Sequence, residues 1–279
     1  MEIQQSLIKE YIINIAEHPR QNHLINALPP DVFARLKPHL ELVELTLGEV
    51  LYEADAASPH IYFPITSIVS LLYGMENGAS TEVAAVGKEG LVGIALFMGG
   101  ETMPNRAVVE SAGRGYRLKP RYLKEEINKG GPVLNLLLRY TQALITQMSQ
   151  TAVCNRYHSL DQQLCRRLLI SVDRLQTNEL KMTQELLSNM LGVRREGVTE
   201  AAGKLQRAGL IQYSRGHITI LDRAALEERV CECYSVVKKE FDRLLPASCF
   251  DHAPTQHVTN FAAKVPELMP TRTQLSRAA

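Results

Sequence analysis

Residues 181–219, KMTQELLSNMLGVRREGVTEAAGKLQRAGLIQYSRGHIT, restrict the folds open to this 279-residue chain more than any other stretch. Thr183 is a helix N-cap residue, whose hydroxyl can accept from backbone N–H groups of the next turn. Leu186, Leu187, Met190 and Leu191 repeat at helical spacing and give a short helix with one buried stripe. Gly192 follows at once, where a tight turn needs a residue that tolerates positive φ. A second helix opens at Arg194. Val198, Ala201, Ala202 and Leu205 face inward, and Arg194, Arg195, Glu196, Thr199 and Glu200 lie on the other face. Gly209 ends it, and residues 210–213 and 217–221 read as two strands around Ser214-Arg215-Gly216. Two helices across a glycine turn, followed by a hairpin, describe a winged helix-turn-helix with a recognition helix.

Such a unit suits duplex DNA. Arginine can make two parallel hydrogen bonds to guanine O6 and N7, and glutamate can accept from cytosine N4. Arg194, Arg195, Glu196, Thr199 and Glu200 are therefore the expected base-reading set. Thr183, Gln184, Lys204, Arg215 and His217 are the expected contacts to the DNA backbone. Between residues 181 and 217, six basic side chains (Lys181, Arg194, Arg195, Lys204, Arg207, Arg215) face three acidic ones (Glu185, Glu196, Glu200). That local excess matters because the formal net charge of the whole chain is only +1. The alternative is a signalling adaptor whose winged helix binds protein rather than DNA.

Upstream the pattern changes. Residues 6–27 read as a loosely amphipathic helical lead-in, and Pro29-Pro30-Asp31 starts a short helix with Val32, Phe33 and Leu36 on one face. From Leu42 the period becomes alternating. Residues 45–52 read as a strand, a Gly48 turn and a strand. Further strands are expected at 61–64, 67–73, 81–86, 107–110 and 115–118, with Asn77-Gly78 as a hairpin turn. Many short strands with Gly and Asn turns indicate a sandwich or barrel.

After Gly130-Gly131-Pro132 a long helix is expected over 133–157. Leu134, Leu137, Thr141, Leu144 and Met148 alternate in spacings of three and four, the pattern of a dimer seam. Leu138, Ile145 and Ala152 form an adjacent row. Two rows suit a helix that touches its own domain and a partner helix at once. Ser159 with Gln162 is a capping box, so a hinge falls at His158-Ser159 and a fresh helix runs to about residue 175. His158 reads as a polar residue at a helix junction. Asp222 caps a last helix reaching about residue 245.

Composition excludes several classes. Hydrophobic content of 45% and charged content of 22% are those of an ordinary globular protein. The longest apolar run, residues 90–100, is too short to span a bilayer, and the opening residues break their apolar run with polar ones, unlike a signal peptide. A cytoplasmic protein without membrane contact is expected. Five cysteines, an odd count without repeated spacing, argue against a disulfide framework. Cys231 and Cys233, read as lying on one helix, would point to different faces with no second ligand pair nearby, so no metal is expected. Cys249, His252 and His257 could join them only in principle. There is no GxxxxGK[ST] loop, GxSxG elbow or HExxH pair, hence no enzyme.

The helix-turn-helix segment resembles that of the Crp/Fnr transcription regulators, and the strands upstream resemble the β-roll of cyclic-nucleotide-binding domains. The resemblance implies an α+β chain in four parts. They are an N-terminal double-stranded β-roll (jelly roll) with its helices at 1–131, a dimerisation helix at 132–158, a winged helix-turn-helix at 159–245 and a disordered tail at 246–279. In that family an Arg-Glu pair at the start of the recognition helix reads bases, and Arg195-Glu196 falls on those positions. Glu200 stands where the cyclic-AMP-binding member has a further base-reading arginine, so the preferred site should differ. Double-stranded DNA, a second copy of the chain, RNA polymerase and a small-molecule effector are the implied partners. Iron–sulfur members carry a cysteine cluster near the N-terminus, and no cysteine precedes Cys154 here.

The family holds its ligand between a Gly-Glu opening and a Pro-Arg-Ser/Thr-Ala close. Here Ile94 follows Gly93, and Pro104-Asn105-Arg106-Ala107 forms the close. Gly90, Gly93, Asn105 and Arg106 thus outline the candidate ligand pocket. Losing the carboxylate and displacing the cation removes two charge-assisted contacts of about 1.5–3 kcal/mol each. That is on the order of a hundredfold or more in affinity, so cyclic AMP is not the expected effector and no cofactor is implied. Arg106 either faces the cavity and another anion, or points outward from its strand.

Overall fold

The computed structural model describes residues 17–76 and 78–245. The lead-in before residue 17, Asn77 of the expected turn, and the expected tail from residue 246 with Cys249, His252 and His257 lie outside the described residues. Within the lead-in, Asn22 interrupts the chain. Its side chain accepts from the Leu24 and Ile25 N–H groups and caps a new short helix, α1 (His23–Asn26). The lead-in is therefore not one helix through residue 27. Pro30 then occupies the first turn of α2 (Pro30–Leu36), where its missing N–H costs nothing.

Seven strands follow the alternating pattern: β1 (Glu41–Leu45), β2 (Val50–Tyr52), β3 (Ile61–Pro64), β4 (Ile68–Gly74), β5 (Ser80–Val86), β6 (Arg106–Ser111) and β7 (Gly113–Leu118). They form two antiparallel sheets, β1-β7-β3 and β2-β6-β4-β5. The turn at Gly48 does not close a hairpin. β1 pairs with β7 and β2 with β6, so the turn carries the chain from one sheet to the other. The inner faces meet in one core, with Leu45, Ile61, Phe63 and Leu118 against Val69, Leu71, Val86 and Val109, all buried. Short helices α3 (Ala95–Met98) and α4 (Pro120–Asn128) complete this half.

The long helix α5 (Pro132–Tyr157) starts with proline in its first turn. Tyr140 is its largest buried side chain, and its hydroxyl donates to the Leu91 carbonyl at 2.8 Å. A Cβ at Gly90 would lie 2.6 Å from that ring, so a glycine is needed there. The row expected as the dimer seam packs largely on its own chain, and the adjacent row is exposed. Leu137, Thr141 and Leu144 are buried within their own chain, and Leu134 and Met148 are half-buried. Leu138 and Ile145 are 53% and 55% exposed, and Ala152 is exposed. The reason is geometric: Leu137 and Leu144 share a face with Val133 and Tyr140, which pack on the roll core.

The C-terminal half comprises α6 (Leu160–Leu175), α7 (Gln184–Leu191), α8 (Arg195–Arg207), α9 (Arg223–Arg229) and α10 (Cys233–Leu244). With them goes a small sheet of β8 (Glu179–Lys181), β9 (Ile211–Ser214) and β10 (His217–Ile220), in the order β8-β10-β9. Ser159 and Gln162 form the capping box of α6. Leu168, Leu187, Val198, Leu205 and Ile218 meet in a second core. The single last helix expected from Asp222 is instead two. Val230 is extended (ψ 154), Cys231 is turned into the interior, and α10 restarts at Cys233.

Buried ions join the halves. Arg167 of α6 donates to Glu82 on β5 at 2.8 Å and to Glu110 on β6. Ser70 on β4 donates to both carboxylates, at 2.5 and 3.1 Å. Arg174 pairs with Glu89 at 2.7 Å and donates to Gln147 of α5 at 3.0 Å. Burial pushes the Glu82 carboxyl up to about 7, helped by Glu110 and opposed by Arg167 and Ser70. Its folded pKa thus exceeds its ordinary 4.5, so its proton stabilises the fold below that value. This contribution is lost as pH rises towards 7. Thermal melts should therefore show the parent losing stability relative to Glu82→Gln between pH 5 and pH 8. Parallel profiles would remove Glu82 as the titrating group.

Candidate nucleic-acid interface

Thr183 caps α7, its hydroxyl accepting from Leu186 N–H at 3.1 Å. Leu187, Met190 and Leu191 turn inward, as their spacing dictates. Gly192 closes the helix at φ 64, in the left-handed region that favours glycine. Arg194 then stands at the N-cap of α8, and Val198, Ala201, Ala202 and Leu205 are buried. Arg194, Arg195, Glu196, Thr199 and Glu200 are all exposed.

Several of the expected contact residues are brought together. Arg195 Nε donates to Gln184 Oε1 at 3.3 Å, which sets the first turn of α8 against that of α7. Thr183 lies beside the wing, where a Cβ on Gly216 would be 3.4 Å from its methyl group. The wing turn places Arg215 at φ 49 and Gly216 at φ 79, the positive pair that a two-residue type I′ hairpin requires. Holding arginine there costs on the order of 1 kcal/mol. Both Arg215 and His217 are exposed. The Tyr213 hydroxyl donates to the Met182 carbonyl at 3.0 Å and its N–H to Gln206 of α8 at 2.9 Å, fixing the wing to the helices.

Lys204 is exposed and paired within the chain. Its Nζ lies 3.1 Å from Glu200 and 3.7 Å from Asp161 at the start of α6, so Glu200 is engaged as well. The turn at Gly192 rests on the roll, since a Cβ there would meet Thr81 Oγ1 of β5 at 2.9 Å.

The candidate ligand-pocket residues differ in exposure and partners. Asn105 is fully buried beside Tyr52, whereas Arg106 lies 3.5 Å from Glu53 with its side chain 40% exposed. Its charge is directed at this chain's own carboxylate. Gly93 is at φ 109, and Gly90 accommodates Tyr140. A cleft of about 370 Å³ lies elsewhere, where the roll, α6 and α10 meet, lined by His23, Lys88, Glu89, Arg174 and Lys238 among others.

Sequence reasoning missed the buried arginines of α6, because nothing local marks Arg166, Arg167 or Arg174 as inward. It also misjudged Cys231 and Cys233. They do not share a helix: Cys231 precedes α10, and both sulfurs turn to the same place as Cys154 and His158.

Comparison with curated proteins gives no significant match. Residues 162–229 match the family described as the Crp-like helix-turn-helix domain. Among solved structures, FixK2 from Bradyrhizobium japonicum is similar at 15% identity and TM-score 0.59, covering 69% of this chain and 98% of that one. A CRP-family transcriptional regulator from Thermus thermophilus is similar at 18% identity and TM-score 0.56, covering 67% and 95%. A second Thermus thermophilus regulator, of the CRP/FNR family, has 22% identity and TM-score 0.54, covering 68% and 97%. At these identities the likeness establishes the fold. Among the described residues no helix is long and apolar enough to cross a membrane. Residues 162–229 are thus a Crp-like helix-turn-helix domain, in a chain whose fold is that of the regulator structures it is similar to.

Proposed function

We propose that this chain is a transcription regulator of the Crp/Fnr type that acts in the cytoplasm as a homodimer on a roughly palindromic operator. Arg194, Arg195, Glu196, Thr199 and Glu200 read bases, and Thr183, Gln184, Lys204, Arg215 and His217 hold the backbone. The exposed first turns of α8, set beside the wing-tip arginine, carry this reading. Lys204 exchanges Glu200 and Asp161 for phosphate on binding. Exposed pairs of that kind are worth about 0–1 kcal/mol, so little opposes the exchange.

The partner helix packs along the exposed row of α5, Leu138, Ile145 and Ala152, rather than along Leu137 and Leu144. A twofold dimer sets the half-sites about 34 Å apart. The roll over 1–131 is the sensor, residues 132–158 the dimer helix and 159–245 the DNA-binding unit. Arg106 is held by Glu53, which supports an effector other than cyclic AMP. RNA polymerase is the protein that such a regulator meets at a promoter.

The test is selection of an operator from random duplexes by the full-length chain. Arg195→Ala should weaken binding to the selected site by about 1–3 kcal/mol and relax one base position. Binding as tight as the parent's would remove Arg195 from the reading set. Failure to select any duplex would favour the protein-binding adaptor.

A further inference from the structure

The end of the long helix brings together three cysteines and a histidine that the DNA reading leaves without a role. Cys154 lies in the last turn of α5, His158 is its C-cap, Cys231 sits in the break between α9 and α10, and Cys233 opens α10. Their ligand atoms all lie within 4.8 Å of one another. Cys154, Cys231 and Cys233 are buried, while His158 is partly exposed at the rim.

The spacing is that of a tetrahedral metal site. With Zn–S near 2.3 Å and Zn–N near 2.0–2.1 Å, a regular tetrahedron has S···S edges of about 3.8 Å and S···N edges of about 3.6 Å. Here Cys154 Sγ and Cys231 Sγ are 3.6 Å apart, and Cys233 Sγ is 3.5 Å from His158 Nδ1. A disulfide needs about 2.05 Å between sulfurs. An iron–sulfur cluster holds its cysteine sulfurs further apart, with inorganic sulfide between them.

The surroundings fit as well. His158 presents Nδ1 to the cluster while Nε2 lies 3.3 Å from Glu232 Oε2, the carboxylate–histidine arrangement that orients a metal-bound imidazole. Gln163 of α6 donates to the carbonyls of both Cys154 and His158, at 3.3 and 2.9 Å, fixing the backbone that carries two of the ligands. Arg166 is buried, has no carboxylate partner among the described residues, and donates only to Thr151. A dication with three thiolates and one neutral imidazole carries a net charge of −1, which this guanidinium balances.

We infer that Cys154, His158, Cys231 and Cys233 form a closed four-ligand site for one zinc ion per chain. Three sulfurs and one nitrogen in a tetrahedral setting select zinc over the oxygen-seeking cations. Each zinc–thiolate bond releases one thiol proton to solvent, and no redox step is involved. The ion clamps the α9–α10 turn to the end of α5, where the long helix hands over to α6. It thereby couples the dimer helix to the DNA-binding unit. The site stands on its own residues and does not depend on the operator reading.

The test uses the full-length protein, purified under reductant without chelator, with elemental analysis and cobalt substitution as readouts. One zinc per chain is expected. Cobalt should give sulfur-to-metal charge-transfer bands and the intense visible bands of a tetrahedral ion. Cys233→Ser and His158→Gln should weaken cobalt binding and change that spectrum, while Cys165→Ser, outside the cluster, should leave it intact. The exposed Glu232→Gln change should weaken zinc about tenfold in chelator competition. No tetrahedral cobalt spectrum from the parent protein with its thiols reduced would overturn the inference. An unchanged spectrum in a folded Cys233→Ser variant would do the same.

Discussion

Arg167→Met is expected to destabilise the chain by about 3–5 kcal/mol, the cost of breaking a buried ion pair by removing one partner. Arg167 is the cation between Glu82 and Glu110, and all three side chains are buried where α6 meets the roll. Without it two carboxylates face each other out of water, with Ser70 as their remaining donor. Urea unfolding at pH 8 should show the loss. Replacing Glu82 and Glu110 by leucine together with Arg167→Met should recover most of it, since apolar groups can substitute for a complete buried network at little cost. A shift below about 1 kcal/mol in the single variant would show that water or rearrangement relieves the site.

The second large effect separates two neighbours on α5. Leu144→Ala should cost about 2–5 kcal/mol of stability through the cavity it leaves in the roll core, while the chain remains a dimer. Ile145→Arg changes an exposed side chain and should move monomer stability by no more than about 0.5 kcal/mol. It should nevertheless dissociate the dimer in sedimentation experiments. A dimer that survives Ile145→Arg places the partner on another face.

Sequence alone does not distinguish these two rows. A heptad pattern states that two adjacent stripes are apolar, but not which one meets the roll. That is decided by Tyr140, whose ring reaches Gly90 and so sets the rotation of α5. Where the determinants are local, the sequence was sufficient. Ser159 and Gln162 cap α6 through their own backbone, Gly192 supplies the left-handed turn, and the Leu187–Met190–Leu191 stripe orients α7.

The remaining features depend on distant pairings. Arg167 meets partners 57 and 85 residues away, and no pattern near the two arginines after Cys165 reveals that. The Cys/His cluster escaped for a related reason. Assuming a continuous helix through residues 231–233 sends the two sulfurs apart, whereas the break at Val230 brings them together beside a helix end some 75 residues earlier.

The most direct test of a dimeric winged-helix reader is a salt titration of binding to the selected operator, followed by fluorescence anisotropy. About six phosphate contacts from a dimer predict that log K falls against log salt with a slope of roughly −5. Arg215→Ala, which removes one wing cation from each protomer, should make the slope shallower by about 2. A duplex affinity that does not change with salt, or no duplex affinity at all, would contradict the assignment of this face to DNA.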